Sequence, residues 1–187
     1  MPVSFVFHPT EESTIKFKPN LFKVNEDKQA VFIGHWLRKF ESLWKLKTPY
    51  RKVILEYPGF NYQTLKLPKD PNVHWESHLG NLDYDLKLAE NIVFLDVHDA
   101  SANNVVIECM ARNNPLIVKK TPAIVEYMGE DYPMYFEDLE EASEKMNEDQ
   151  ILEGHKYLED MDKSKIKFNR FIKDLSNSKV FQSIRPI

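Results

Sequence analysis

The polar side chains with chemical potential concentrate between residues 96 and 129. Ser101, Asn103 and Asn104 precede an apolar run that starts at Val105. Ser and Asn are favoured N-caps, so one of the three closes the start of a helix. The free amides of such a helix end, with its positive dipole, also attract an anion, typically a phosphate. Glu108 follows inside VVIECMA, residues 105–111, where its neighbours are apolar. The helix dipole favours a carboxylate there, but burying one without a partner is costly. Ribose hydroxyls or a buried basic residue would suit it. His98 and Asp99 share the preceding turn and are the candidates for acid/base chemistry, although adjacent residues of an extended segment point to opposite faces. Thr121 and Pro122 open a further helix, whose first amides face the same edge as Ser101, and Gly129 ends it as a left-handed cap. Arg38 and Lys39 lie just past an earlier apolar strand. By position alone they read as a solvated pair, and from the mouth of a sheet they could reach a phosphate.

What the chain lacks narrows the chemistry. With only 5 glycines in 187 residues it has no GxGxxG and no GxxxxGK[ST], which disfavours a dinucleotide-binding dehydrogenase or a P-loop enzyme. No serine nucleophile elbow and no HExxH occurs, and the six histidines show no metal spacing. Cys109 is the single cysteine; it excludes an intramolecular disulfide and reads as a buried, inert thiol. A net charge of −4 gives no reason to expect nucleic acid or an anionic membrane as partner, while leaving room for local basic spots. The amino terminus has no signal-peptide pattern and no apolar run approaches spanning length, so the expected location is the cytoplasm.

The elements that must position these residues follow from periodicity. Short apolar runs at 91–95, 115–118 and 132–136 alternate with helical stretches at 105–111 and 121–129. Continuously apolar strands alternating with helices indicate a parallel sheet buried on both faces. Such a sheet binds ligands where strand ends meet helix starts, which places the turn 96–104 at the binding edge. Upstream, 30–33 is a strand ended by Gly34, and Leu37, Phe40, Leu43 and Trp44 predict an amphipathic helix over 35–46. Strands are expected at 52–57 and 73–75, a short extended piece at 64–67, and a helix from an Asn81 cap to Asn91. Trp36, Trp44 and Trp75 read first as core residues, with base stacking as their other role. Charged, periodic stretches at 138–146, 148–161 and 163–175 predict helices without intervening strands. Residues 1–28 form a lead-in or linker, and 29–187 an α/β domain closed by C-terminal helices.

The run NNVVIECMARNNPLIV at 103–118, with PAIVEYMG at 122–129 and the strand–Gly–basic entry IGHWLRK at 33–39, resembles the carboxyl-terminal half of retaining GT-B glycosyltransferases. The resemblance spans roughly residues 30–136 and implies a Rossmann-like domain that binds a nucleotide-diphosphate sugar, for example of UDP or GDP. It implies that Glu108 holds the ribose hydroxyls and that Ser101, Asn103, Asn104 and Thr121 with nearby amides hold the diphosphate. Arg38 and Lys39 would neutralise that diphosphate, with no metal or other cofactor required. The family has a second acidic residue eight positions before the glutamate; here that position is Ala100, with Asp99 beside it. A GT-B enzyme also has an amino-terminal acceptor domain, for which 187 residues leave no room, so donor binding with little or no transfer is expected. A non-catalytic nucleotide-binding or regulatory module, and a structural α/β domain whose amino-terminal segment docks a partner, are the other readings.

Overall fold

Two wholly buried runs make the centre of the molecule. In the computed structural model, which describes residues 6–99 and 103–184, β1 (Gln29–Ile33) and β4 (Ile92–Leu95) pair in parallel, and every residue of both is buried. Around them β2 (Arg51–Leu55), β3 (Val73–Glu76), β5 (Leu116–Lys119) and β6 (Tyr135–Phe136) complete a six-stranded sheet in the order β3-β2-β1-β4-β5-β6. All neighbours run parallel. The chain starts at the middle, works out to β3, then returns to β4 and works out the other way. The chain thus leaves β1 and β4 toward opposite edges of the sheet, and such a switch point places a crevice at their carboxyl ends. This is an α/β, Rossmann-like fold, as the alternating pattern predicts.

Helices flank the sheet: α1 (Pro19–Val24), α2 (Glu41–Lys45), α3 (Asn81–Glu90), α4 (Asn104–Arg112) and α5 (Pro122–Met128). After β6 come α6 (Leu139–Glu144), α7 (Glu148–Asp160), α8 (Phe168–Asn177) and α9 (Lys179–Ile184). Phe32 of β1, Phe94 of β4 and Phe136 of β6 are in ring contact through the core, at 6.2 and 5.7 Å. Residues 6–28 lie on the domain. Phe17 and Phe22 are buried, Phe17 N–H donates to Arg112 O at 2.8 Å, and Thr10 N–H to Ile166 O at 3.0 Å.

Three local expectations are corrected. Residues 35–40 are not helical, and α2 begins only at Glu41. Leu37 adopts φ 55°, and this stretch instead forms an antiparallel bridge, Arg38 to Val97, with the exit of β4. Residues 62–65 make a 3-10 turn rather than an extended piece, because Asn61 Oδ1 accepts from Gln63 N–H and Thr64 Oγ1 donates to Asn61 O. The helix expected over 163–175 is split into a 3-10 turn (Ser164–Ile166) and α8.

Candidate functional site

At the carboxyl ends of the strands lies a crevice of about 690 Å³, within the range of small-molecule sites. Its floor is the loop from Gly34 to Arg38, and one wall is the end of β2 with His78 and Leu79. The other wall is built by Tyr84 and Asp85 of α3, the start of α4 and Glu108, with Thr10 and Glu11 closing the rim.

The floor is fixed by backbone. Lys39 N–H donates to Asp96 O at 2.9 Å and His98 N–H to Leu37 O at 3.0 Å, so the loops leaving β1 and β4 clasp each other. The clasp turns the Arg38 side chain back under the crevice. Its Nε donates to Ile33 O at 2.9 Å, Nη1 to Trp36 O at 3.4 Å and Nη2 to Asn103 Oδ1 at 3.2 Å. Each acceptor is neutral, and among the described residues no carboxylate pairs with Arg38. Burial pushes its pKa down to about 10, so it still carries its charge at neutral pH. Gly34 makes room for this arrangement at φ 84°, where an added Cβ would stand 3.2 Å from Nη2.

Asn103 occupies the N-cap position of α4, yet its side chain makes no capping bond. Its oxygen is committed to Arg38 instead. The first amides of α4 are thus left without a side-chain acceptor from the cap, beside a cation that lacks a counter-ion among the described residues. Both features favour an anion.

Glu108 has the partner its apolar setting demands. Tyr84 donates its hydroxyl to Glu108 Oε2 at 2.7 Å. Burial raises the carboxyl pKa, and the Tyr84 bond and the Arg112 charge lower it in part. Burial, reinforced by the Glu108 charge, raises the Tyr84 phenol well above its usual value, so the phenol remains the donor. Arg112, one helical turn beyond Glu108, is held by Asp85 at 2.6 Å, and Asp85 also accepts from Ser13 Oγ at 3.1 Å. The Tyr84 bond engages only Oε2, so Oε1 of Glu108, a crevice-lining residue, can accept from a ligand hydroxyl.

No protein-family model and no curated protein matches the chain. Among solved structures it is similar to the crystal structure of Anabaena Alr3699/HepE in complex with UDP-glucose. The TM-score is 0.56 and the identity 13%, covering 96% of this chain and 55% of that one. At such low identity the likeness shows the fold alone. The chain spans little more than half the length of that protein's chain.

Of the residues singled out in the sequence, Arg38, Asp99, Asn103, Asn104 and Glu108 line the crevice. Lys39, His98 and Thr121 do not line it: Lys39 lies 3.5 Å from Asp96, His98 is exposed, and Thr121 caps α5 through Ile124 N–H at 3.4 Å. Ser101, like Ala100, falls outside the described residues. Trp36 departs from its expected core role: it is 74% exposed and sits on the crevice lip. Tyr84, Asp85 and Arg112 are site residues that the sequence pattern does not single out. Arg112 is within reach of sequence reasoning, since positions four apart on a helix share a face. Tyr84 and Asp85 meet Glu108 and Arg112 only because α3 packs beside α4, and no local pattern announces that.

Proposed function

We propose that this chain is the donor-binding half of a GT-B glycosyltransferase and that its crevice holds a nucleotide-diphosphate sugar. The observation that carries the reading is Arg38, a half-buried cation without a counter-ion among the described residues, bonded to Asn103 at the start of α4, where Asn103 makes no capping bond. The diphosphate lies between its guanidinium and the first amides of α4, so two positive elements do the work that a metal does elsewhere. Glu108 accepts from a ribose hydroxyl through the oxygen that Tyr84 leaves open. Asp99, beside the Ala100 position where the family resemblance expects an acid, lines the crevice and is the candidate for the sugar end. The UDP-glucose bound by the structurally similar Anabaena protein supports the ligand class.

Transfer itself requires an acceptor-binding partner or domain, so this chain alone binds donor with little turnover. Because it spans 55% of its structural neighbour, a binding module without transfer is the second reading. Thermal melting with UDP, GDP, ADP and dTDP and their glucose conjugates tests the first claim. A ligand at a hundred times its Kd stabilises by about 2.7 kcal/mol, which raises Tm by roughly 5–10 °C in a domain of this size. Absence of a shift with every nucleotide sugar at millimolar level overturns both readings. Persistent inactivity after an acceptor domain is joined, with binding intact, selects the second.

A further inference from the structure

The most strongly amphipathic of the described helices has no fully buried residue: Phe171 and Leu175 are half-buried, Phe168 and Ile172 exposed. Phe168, Phe171, Ile172 and Leu175 recur at helical spacing along one side of α8. Among the described residues none of the four belongs to the core cluster or packs against it. Phe168 is 59% and Ile172 44% exposed, and Val180 of the adjoining α9 is 41% exposed. A protein seldom leaves such a stripe in water without a use for it.

Charge indicates what covers it. The chain as a whole is acidic at −4, but residues 167–179 carry Lys167, Arg170, Lys173 and Lys179 against Asp174 alone. Lys167 pairs with Glu12 and Arg170 with Asp174, both on exposed surface, where such pairs contribute little and yield readily to a stronger counter-charge. Lys173 follows Ile172 directly on α8, about a third of a turn around the helix, and so flanks the stripe. A helix that is polar on balance, with phenylalanines on one face and cations beside them, lies in the plane of a lipid interface. Surface cations add attraction to anionic headgroups.

We propose that the α8–α9 face docks on an anionic lipid surface, with Phe168, Ile172 and Val180 entering the interface and the flanking lysines contacting headgroups. Docking is reversible, since the apolar area is small. The backbone bond from Thr10 to Ile166 and the Lys167–Glu12 pair tie this face to the segment whose Thr10 and Glu11 rim the crevice.

Co-sedimentation of the full chain with phosphatidylcholine vesicles, with and without phosphatidylserine, tests the proposal. Binding is expected only with phosphatidylserine and is weakened by salt. Lys173→Glu is expected to lower partitioning by about fivefold or more, and the double variant Phe168→Ser/Ile172→Ser by roughly tenfold or more, each with an unchanged melting temperature because these side chains are outside the core. Absence of binding to either vesicle, equal binding to both, or full binding by the double variant overturns it. So does a dimer in sedimentation equilibrium that the double variant dissociates, which assigns the face to a second copy. Capture of the face by another protein domain with no vesicle binding overturns it equally.

Discussion

Replacing Arg38 by Met separates binding from stability more cleanly than any other change at this site. Burial pushes the guanidinium pKa down to about 10, which corresponds to about 3 kcal/mol by which the empty crevice disfavours the charge. Against that stand three hydrogen bonds to neutral oxygens, worth about 1 kcal/mol each. The two nearly cancel, so Arg38→Met, which keeps the apolar stem, is expected to leave unfolding free energy within about 1 kcal/mol of the parent. For an anionic ligand the balance is one-sided. Losing a charged hydrogen-bond donor costs about 1.5–3 kcal/mol, a rise of roughly 10- to 150-fold in Kd. Titration calorimetry with UDP and UDP-glucose, alongside urea denaturation, reads both quantities. Unchanged affinity, or a stability loss of about 3 kcal/mol or more, would refute the assignment of Arg38 as an anion-binding residue and make it a structural one.

Glu108→Ala is expected to remain folded and lose nucleotide affinity, measured by the same calorimetry. Glu108→Gln adds a pH signature. Because burial raises the folded carboxyl pKa above its ordinary value of 4.5, folding takes up a proton in the window just above that pH, and stability from this group is lost as pH rises through the folded pKa. The Gln variant is therefore expected to gain on the parent between about pH 4 and neutral in urea denaturation, and a pH-independent difference would contradict this. Gly34→Ala forces a side chain into positive φ and places a methyl 3.2 Å from Arg38 Nη2. A loss of about 1–2 kcal/mol together with weaker nucleotide binding is expected. In Gly154→Ala the usual helix gain of about 1 kcal/mol should reverse, because the new Cβ would stand 2.5 Å from Met134 Cγ. Overpacking of that kind costs about 1–3 kcal/mol, and a stabilised variant would show that Met134 swings aside freely.

The sheet is legible in the sequence because strands buried on both faces must be apolar throughout, as 92–95 and 116–118 are. The start of α4 and the end of α5 are legible because Asn before an apolar run and Gly after one are local boundary signals, although Asn103 makes no capping bond and Gly129, at φ 86° and ψ 163°, is not a left-handed cap. The loop at 35–40 is not. Its apolar spacing fits a helix, and only the exit of β4, far along the chain, offers the backbone a better set of bonds. At the site, Arg38 and Glu108 can be selected from their settings, one past a strand end and one in an apolar helix. Their orientation cannot, since it depends on Asn103 giving up its cap and on α3 bringing Tyr84 across.

The clasp between residues 36–39 and 96–98 also sets how the crevice behaves in time. Two loops that would otherwise fluctuate separately are joined by bonds of 2.9 and 3.0 Å, so the floor is ordered before a ligand arrives. Less conformational freedom is then lost on binding. The amide protons of Lys39 and His98, although they belong to connecting loops, should resist solvent exchange to nearly the same degree as those of β1 and β4. Opening the floor would break both bonds just past the carboxyl ends of the two central strands.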